Sequence, residues 1–266
     1  MRVALIGGGF MGEAVVSGLL KEGLAQPGDV TVADVAPARR DYMSSEYGVS
    51  TTADNEEAVR EAEIVLLAVK PQEFEKVAAG LAGHIGGGQT VVSIMAGVRA
   101  ERIVSALGHD AVVRVMPNTA ALVGQAMSVW LANDAVTSEG IEAVERLLRA
   151  LGREVRVYDE AQIEMATALS GSGPGFIFLM IEALIDGGVQ IGLAREQSKA
   201  WVLQTVFGAA CLARETGKDA AELRQMVTSK GGTTAAGLQA LEDGRARETI
   251  VAAVEAAYER AKELGA

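Results

Sequence analysis

Short apolar runs alternate with amphipathic stretches through the first 160 residues. Val3–Ile6, Val30–Ala33, Ile64–Val69, Val91–Ile94 and Ala111–Val115 read as continuous apolar strands, with Ala126–Leu131 and Glu154–Val157 as weaker candidates. Between them, Met11–Glu22, Pro37–Tyr47, Phe74–Leu81 and Ser138–Leu151 carry apolar side chains at helical spacing. Strands that are apolar throughout must be covered on both faces. The pattern therefore predicts a parallel sheet between two layers of helices.

Beyond Asp159 the pattern changes. The spacing predicts helices over 161–169, 174–191, 195–216, 219–226, 234–242 and 245–264, with no strand among them. Ser172 before Pro174 suits a helix start with proline in the first turn, and Gly192 suits its end. The helix 174–191 is apolar on every face, through Phe176, Ile177, Leu179, Met180, Ile181, Leu184, Ile185 and Val189. A helix of that kind is normally buried, and a half-chain this short implies burial against a second copy.

Composition narrows the chemistry. A net charge of −11 and a small aromatic complement (2 Trp, 4 Tyr, 5 Phe) argue against binding nucleic acid. One cysteine, Cys211, and two histidines, His84 and His109, leave no metal centre and little scope for imidazole catalysis. The two histidines are expected in solvent and Cys211 in a helix core. No stretch approaches about 18 uninterrupted apolar residues, so no membrane-spanning helix is expected. The N-terminal apolar run is broken by glycines and Glu13 and does not make a signal peptide. The expectation is a soluble, cytoplasmic protein whose chemistry comes from a bound cofactor. Glycine stands out at 31 residues, about 12% against a usual ~7%.

The first glycine cluster has a clear use. Gly7-Gly8-Gly9-Phe10-Met11-Gly12 places G-x-G-x-x-G directly after a strand and at the start of a helix. Gly7 allows the tight turn, Gly9 a close approach of backbone to a pyrophosphate, and Gly12 close packing of helix on strand. The helix N-terminus then offers free N–H groups to the phosphates. Asp34 closes the second strand about 20 residues further on, where a carboxylate accepts the ribose hydroxyls and repels a 2′-phosphate. That favours NADH over NADPH, while Arg39 and Arg40 stand close enough to accommodate the phosphate instead. The fold class is α/β: an N-terminal Rossmann-type doubly wound sheet over 1–159, followed by an all-α domain over 160–266.

Gly7–Gly12, Ala68–Gln72, Ser93–Val98, Arg114–Ala120, Thr167–Pro174 (TALSGSGP) and Thr228–Thr234 (TSKGGTT) together resemble the pyrroline-5-carboxylate reductase family in order and spacing, over essentially the whole chain. The resemblance implies a helical C-terminal dimerisation domain that interlocks with a partner, an active site at the dimer interface, and assembly as a homodimer or decamer. It places Gly7, Gly8, Gly9, Phe10, Met11 and Gly12 on the pyrophosphate of NAD(P)H, and Asn55 near the adenosine. Ala68, Val69, Lys70 and Pro71, with Ala96 and Gly97, fall along the nicotinamide half. Gly231, Gly232, Thr233 and Thr234 fall in the loop that grips the substrate carboxylate, and Glu160 approaches the substrate. Four positions depart from the family pattern: Phe10, Ala120, Gln225 and Lys230, the last expected to point into water.

The implied reaction reduces L-1-pyrroline-5-carboxylate to L-proline, the last step of proline biosynthesis, in an NAD(P)H-dependent oxidoreductase. Hydride goes to an imine carbon that is already electrophilic, so positioning matters more than strong acid–base groups. Thr234 is the candidate catalytic residue, since its hydroxyl both donates and accepts hydrogen bonds. A reductase of the six-membered cyclic imine and a non-catalytic dinucleotide sensor are the alternatives. The carboxylate loop argues against the sensor.

Overall fold

The computed structural model describes residues 1–265. The first part of the chain folds in the order β1 (Val3–Ile6), α1 (Phe10–Lys21), β2 (Val30–Ala33), α2 (Pro37–Tyr47), β3 (Ser50–Thr52), α3 (Asn55–Val59), β4 (Ile64–Leu67), α4 (Phe74–Leu81), β5 (Thr90–Ser93), α5 (Ala100–Leu107) and β6 (Val112–Met116). It continues through β7 (Ala126–Ala132), α6 (Ser138–Leu151) and β8 (Gly152–Arg156). The helices α7 (Glu160–Ala166), α8 (Gly173–Gln190), α9 (Arg195–Thr216), α10 (Ala220–Met226), α11 (Thr233–Asp243) and α12 (Ala246–Gly265) complete it.

The strands form one sheet in the order β3-β2-β1-β4-β5-β6-β7-β8. Successive side chains of a strand point to opposite faces, and the two apolar cores follow that alternation. Val3 and Leu5 of β1, with Ile64 and Leu66 of β4, fill one core against α1 and α6. Ala4, Ile6, Val65 and Leu67 fill the other, with Phe74 of α4 and Ile103 of α5. The unbroken apolar runs are the consequence of central strands covered on both faces.

The sheet is not wholly parallel. β7 runs antiparallel to β6, and β8 runs parallel to β7. Only the helical turn Thr119–Val123 and its flanks join β6 to β7. A parallel crossover needs a dozen or more residues, so the chain turns straight back. Three elements have no counterpart in the hydrophobic pattern: β3, α3 and α5. β3 is a polar edge strand of three residues, and α3 is a single turn and a half, begun by the Asp54 side chain, which accepts from the amides of Glu56 and Glu57.

Cα packing divides the chain into two units, residues 1–172 with 257–265, and residues 173–256. The first unit thus includes residues 160–172. The physical reason is α7, whose Ile163 and Ala166 are buried in the second core of the sheet. A π-helical turn, Thr167–Gly171, then leads directly into α8. Ser172 accordingly does not cap α8: its hydroxyl donates to the Thr167 carbonyl at 3.1 Å, across the π turn. The turn resolves a conflict created by Pro174, which has no N–H to give to the carbonyl of Ser170. Asn118 supplies the missing bond, donating from Nδ2 to that carbonyl at 3.1 Å.

Because the π turn does not break the helix, residues 160–190 form a run of 31 residues containing a window of mean hydropathy 1.6. By length and composition it could cross a membrane, contrary to the expectation of no such helix. In the second unit, Ile185 is the one apolar side chain that is buried, while Phe178, Leu179, Leu184, Trp201 and Phe207 are exposed. Within that unit α8 and α9 pack closely. Gly188 leaves room only for Ser198, whose hydroxyl donates to the Ile185 carbonyl at 2.8 Å.

His109 also departs from expectation. It is buried, with Nε2 at 2.9 Å from the carbonyl oxygen of Gln89. Gly108, in the left-handed conformation, ends α5 just before it and turns the chain back under β5. His84 is half-exposed and paired with Glu56 at 3.2 Å. Cys211 is only partly buried in α9.

Candidate functional site

The parallel register aligns Ile6 with Ala33 and with Leu67, and Leu67 with Ser93. The residues that follow these strand ends, Gly7, Asp34, Ala68 and Ile94, therefore lie in one row at the carboxyl edge of the sheet. This is where ligands bind in doubly wound sheets. Gly7–Gly12, Asp34, Ala68–Pro71 and Ala96–Gly97 are all gathered there. Asn55, at the start of α3, lines a cleft with Gly7, Asp34, Val69 and Lys76.

Backbone geometry explains the glycine loop. Gly7 has φ +102°, and a Cβ on it would meet the carbonyl oxygen of Ala68 at 2.8 Å. Gly12 is buried against the Gly7 carbonyl and Leu5, so any side chain would push α1 off β1. Gly9 is different: it is exposed, and a Cβ there would meet nothing within 4 Å. It is the N-cap of α1 and makes no side-chain cap, so the first amides of the helix face open space. These features fit a dinucleotide pyrophosphate. Phe10 is 55% exposed beside it.

Asp34 does more than face the cleft. Its Oδ2 accepts from the Gly8 amide and its Oδ1 from the Ala36 amide, each at 2.8 Å. Arg39 donates from Nε to the Gly8 carbonyl and from Nη2 to the Glu13 carboxylate. Arg40 donates to the carbonyls of Asp34 at 2.7 Å and Val35 at 3.2 Å. The Glu13 carboxylate also accepts from the hydroxyls of Tyr42 at 2.9 Å and Tyr47 at 3.0 Å. Burial raises the Glu13 pKa, but the hydrogen bonds from Arg39, Tyr42 and Tyr47 outweigh it and hold the carboxyl below its ordinary range. Burial, and then the bond to Glu13, push the Tyr47 phenol up to about 12.

A second group of charges stands behind the Ala96–Gly97 loop. Arg114, in β6, is 1% exposed and pairs with Glu160. The other Glu160 oxygen accepts from the Ala100 amide at 2.9 Å, at the start of α5. One turn along α7, the buried Glu164 accepts from Arg99 Nη2 at 2.7 Å. Gly97, at φ +73°, lies against Leu264 near the end of α12, where a Cβ would come within 2.7 Å of the leucine Cβ. Glu160 thus lies in the first unit, bound to an arginine and an amide of the sheet edge.

Gly231–Thr234 belong to the second unit. Gly231 takes φ +73°, and Gly232 is the N-cap of α11 with no side-chain cap. Thr233 and Thr234 occupy the first helical positions and are exposed, as is Lys230. The loop therefore offers free N–H groups at a helix start to an anion.

Sequence reasoning gave no role to Glu13 or Glu164, nor to Arg114 and Asn118, which it named only as part of the Arg114–Ala120 motif. An acidic residue in the first turn of a helix is common and carries no signal of its own. Arg114, embedded in an apolar strand, was the one visible oddity, since an arginine is almost never fully buried without a partner.

A row of loops at the carboxyl edge of a doubly wound sheet, opened by an uncapped glycine turn, defines a dinucleotide-binding class, here with a helical C-terminal region. Residues 2–97 match a family described as NADP oxidoreductase coenzyme F420-dependent, and residues 160–264 match one described as pyrroline-5-carboxylate reductase dimerisation. The chain is 42% identical to a pyrroline-5-carboxylate reductase of Synechocystis sp. over 100% of its length and 98% of the relative's. It is 39% identical to one of Arabidopsis thaliana, over 99% and 95% of the two chains. Among solved structures, a pyrroline-5-carboxylate reductase of Coxiella burnetii superposes with a TM-score of 0.91 at 38% identity, covering 100% and 98%. A Plasmodium falciparum pyrroline carboxylate reductase with NADP bound gives 0.91 at 30% identity, also over 100% and 98%. The chain belongs to the pyrroline-5-carboxylate reductase family. Its C-terminal region is a dimerisation domain, which accounts for the apolar faces of α8 and α9.

Proposed function

We propose that this protein reduces L-1-pyrroline-5-carboxylate to L-proline. The observation that carries the reading is family membership along the full length, with both the glycine turn of α1 and the Gly231–Thr234 loop intact. Reduced nicotinamide, when bound, supplies the hydride for the imine carbon. Gly7–Gly12 hold the pyrophosphate on the amides of α1, Asn55 borders the adenosine, and Ala68–Pro71 with Ala96–Gly97 border the nicotinamide half. Gly231, Gly232 and Thr233 hold the substrate carboxylate on their amides. Thr234 hydrogen-bonds the ring nitrogen, which takes a proton from water, directly or relayed through this hydroxyl, as hydride reaches the carbon and the imine becomes an amine.

NADH is the proposed preferred coenzyme. Asp34 puts a carboxylate at the ribose end of β2, and the nearby Arg39 is already neutralised by Glu13. The proposed assembly is a homodimer through residues 160–264, which can build further into a decamer. Absorbance at 340 nm, followed with pyrroline-5-carboxylate and each reduced coenzyme separately, tests the activity. Oxidation dependent on the imine, faster with NADH, is the expected result. Tight coenzyme binding without turnover would overturn the reading.

A further inference from the structure

The cluster of Glu13, Arg39, Tyr42 and Tyr47 lies outside every motif that carries the reaction. It packs α1 against α2 beside the glycine turn, and its geometry is specific. Arg39 grips the carbonyl of Gly8 while Asp34 grips the amide of the same residue. The Arg39 guanidinium extends to the Gly9 carbonyl at 3.4 Å and lies 4.7 Å from the Tyr42 ring centroid. Its charge is met by Glu13, which the two tyrosine hydroxyls hold in place. The Glu13 side chain is 17% exposed and that of Arg39 is 25% exposed, so water screens the pair only partly.

This arrangement bears on one chemical difference, the 2′-phosphate that separates NADPH from NADH. An arginine after the second strand is the group that accommodates this phosphate in dinucleotide folds. Arg39 stands in that segment, but its Nε and Nη2 are committed to the glycine loop and to a carboxylate. A phosphate dianion approaching Arg39 would share its charge with Glu13 and sit beside that carboxylate, or break the ion pair and leave the carboxylate uncompensated. We propose that Glu13 is a specificity-determining residue, which withholds Arg39 from the 2′-phosphate and so sets the balance towards NADH. The inference rests on the reading that the Asp34 cleft takes the adenosine ribose.

A purely structural cluster would affect the two coenzymes alike. The discriminating readout is the ratio of kcat/KM for NADPH to that for NADH, measured for wild type, Glu13→Gln, Arg39→Met and the double variant. Glu13→Gln is expected to raise the ratio about tenfold through the KM for NADPH, the value of one hydrogen bond to a charged group. Arg39→Met alone is expected to leave the ratio within about twofold of wild type, whatever it does to both coenzymes together, and the double variant is expected to lose the gain. Calorimetric binding of 2′,5′-ADP against ADP gives the same comparison without turnover. An unshifted ratio in Glu13→Gln, a gain that survives in the double variant, or a fall in the ratio for Arg39→Met alone would each overturn the role of Glu13. Failure of wild type to bind either ADP probe, with turnover intact, would overturn the placement of the adenosine and the inference with it.

Discussion

Thr234 and Tyr47 show how differently two hydroxyls are used in one chain. Thr234 is exposed in the first turn of α11 and has no capping task, since Gly232 is the N-cap. Its proposed partner is the ring nitrogen of the substrate. Thr234→Val is therefore expected to lower kcat about tenfold, as for loss of one hydrogen bond to a charged group, with coenzyme binding unchanged by fluorescence titration. Equal kinetics in the two proteins would remove Thr234 from the reaction. Tyr47 is instead committed to Glu13, and its ionisation reports the fold. The unfolded phenol loses its proton near pH 10, the folded one at about 12. The folded pKa is the higher one, so the contribution to stability is complete below pH 10 and is lost as pH rises towards about 12. Urea midpoints measured across this window should fall more steeply for wild type than for Tyr47→Phe. Parallel curves would show that the phenol is not held.

At the scale of elements, helix α7 is tied to the edge of the sheet by charge as well as by Ile163 and Ala166. Glu160 meets Arg114 of β6 and the first amide of α5, and Glu164 meets Arg99 just ahead of α5. The buried Arg114 depends on this carboxylate. Glu160→Gln is expected to cost about 3 kcal/mol in chemical denaturation, because it leaves a buried guanidinium without a counter-charge. Arg114→Met in the same protein is expected to restore much of that loss, since it removes the unmatched charge. A double variant no more stable than Glu160→Gln would show that the pair is not the source. The two ends of this contact belong to segments that look unrelated in sequence, 46 positions apart. Arg114 is visible there only as a charge inside an apolar strand, and nothing adjacent names its partner. The continuous strands β1 and β4, in contrast, were legible because burial on both faces favours apolar side chains at every position. β3 and α3 were not, because an edge strand of three polar residues and a five-residue helix leave too few positions for any period to show.

For the whole molecule, the second unit leaves most of its apolar surface open in a single chain. A dimerisation domain explains that surface, and the interface should be sensitive to charge. Leu179, on α8, is 67% exposed. Leu179→Glu is expected to shift the protein from oligomer to monomer in size-exclusion chromatography with light scattering, since a buried carboxylate without a partner is strongly disfavoured. An unchanged mass would place the interface on another face. The sequence by itself determined the doubly wound sheet, the glycine turn and the order of the motifs. Each is written locally, in the period of apolar positions or in a run of glycines at a strand end. Tertiary structure alone decided the reversal at β7, the π turn that runs α7 into α8, the counter-ion of Arg114 and the restraint of Arg39 by Glu13. The β7 reversal follows from loop length acting on sheet geometry, and the others from pairings between distant segments, which carry no periodic trace along the chain.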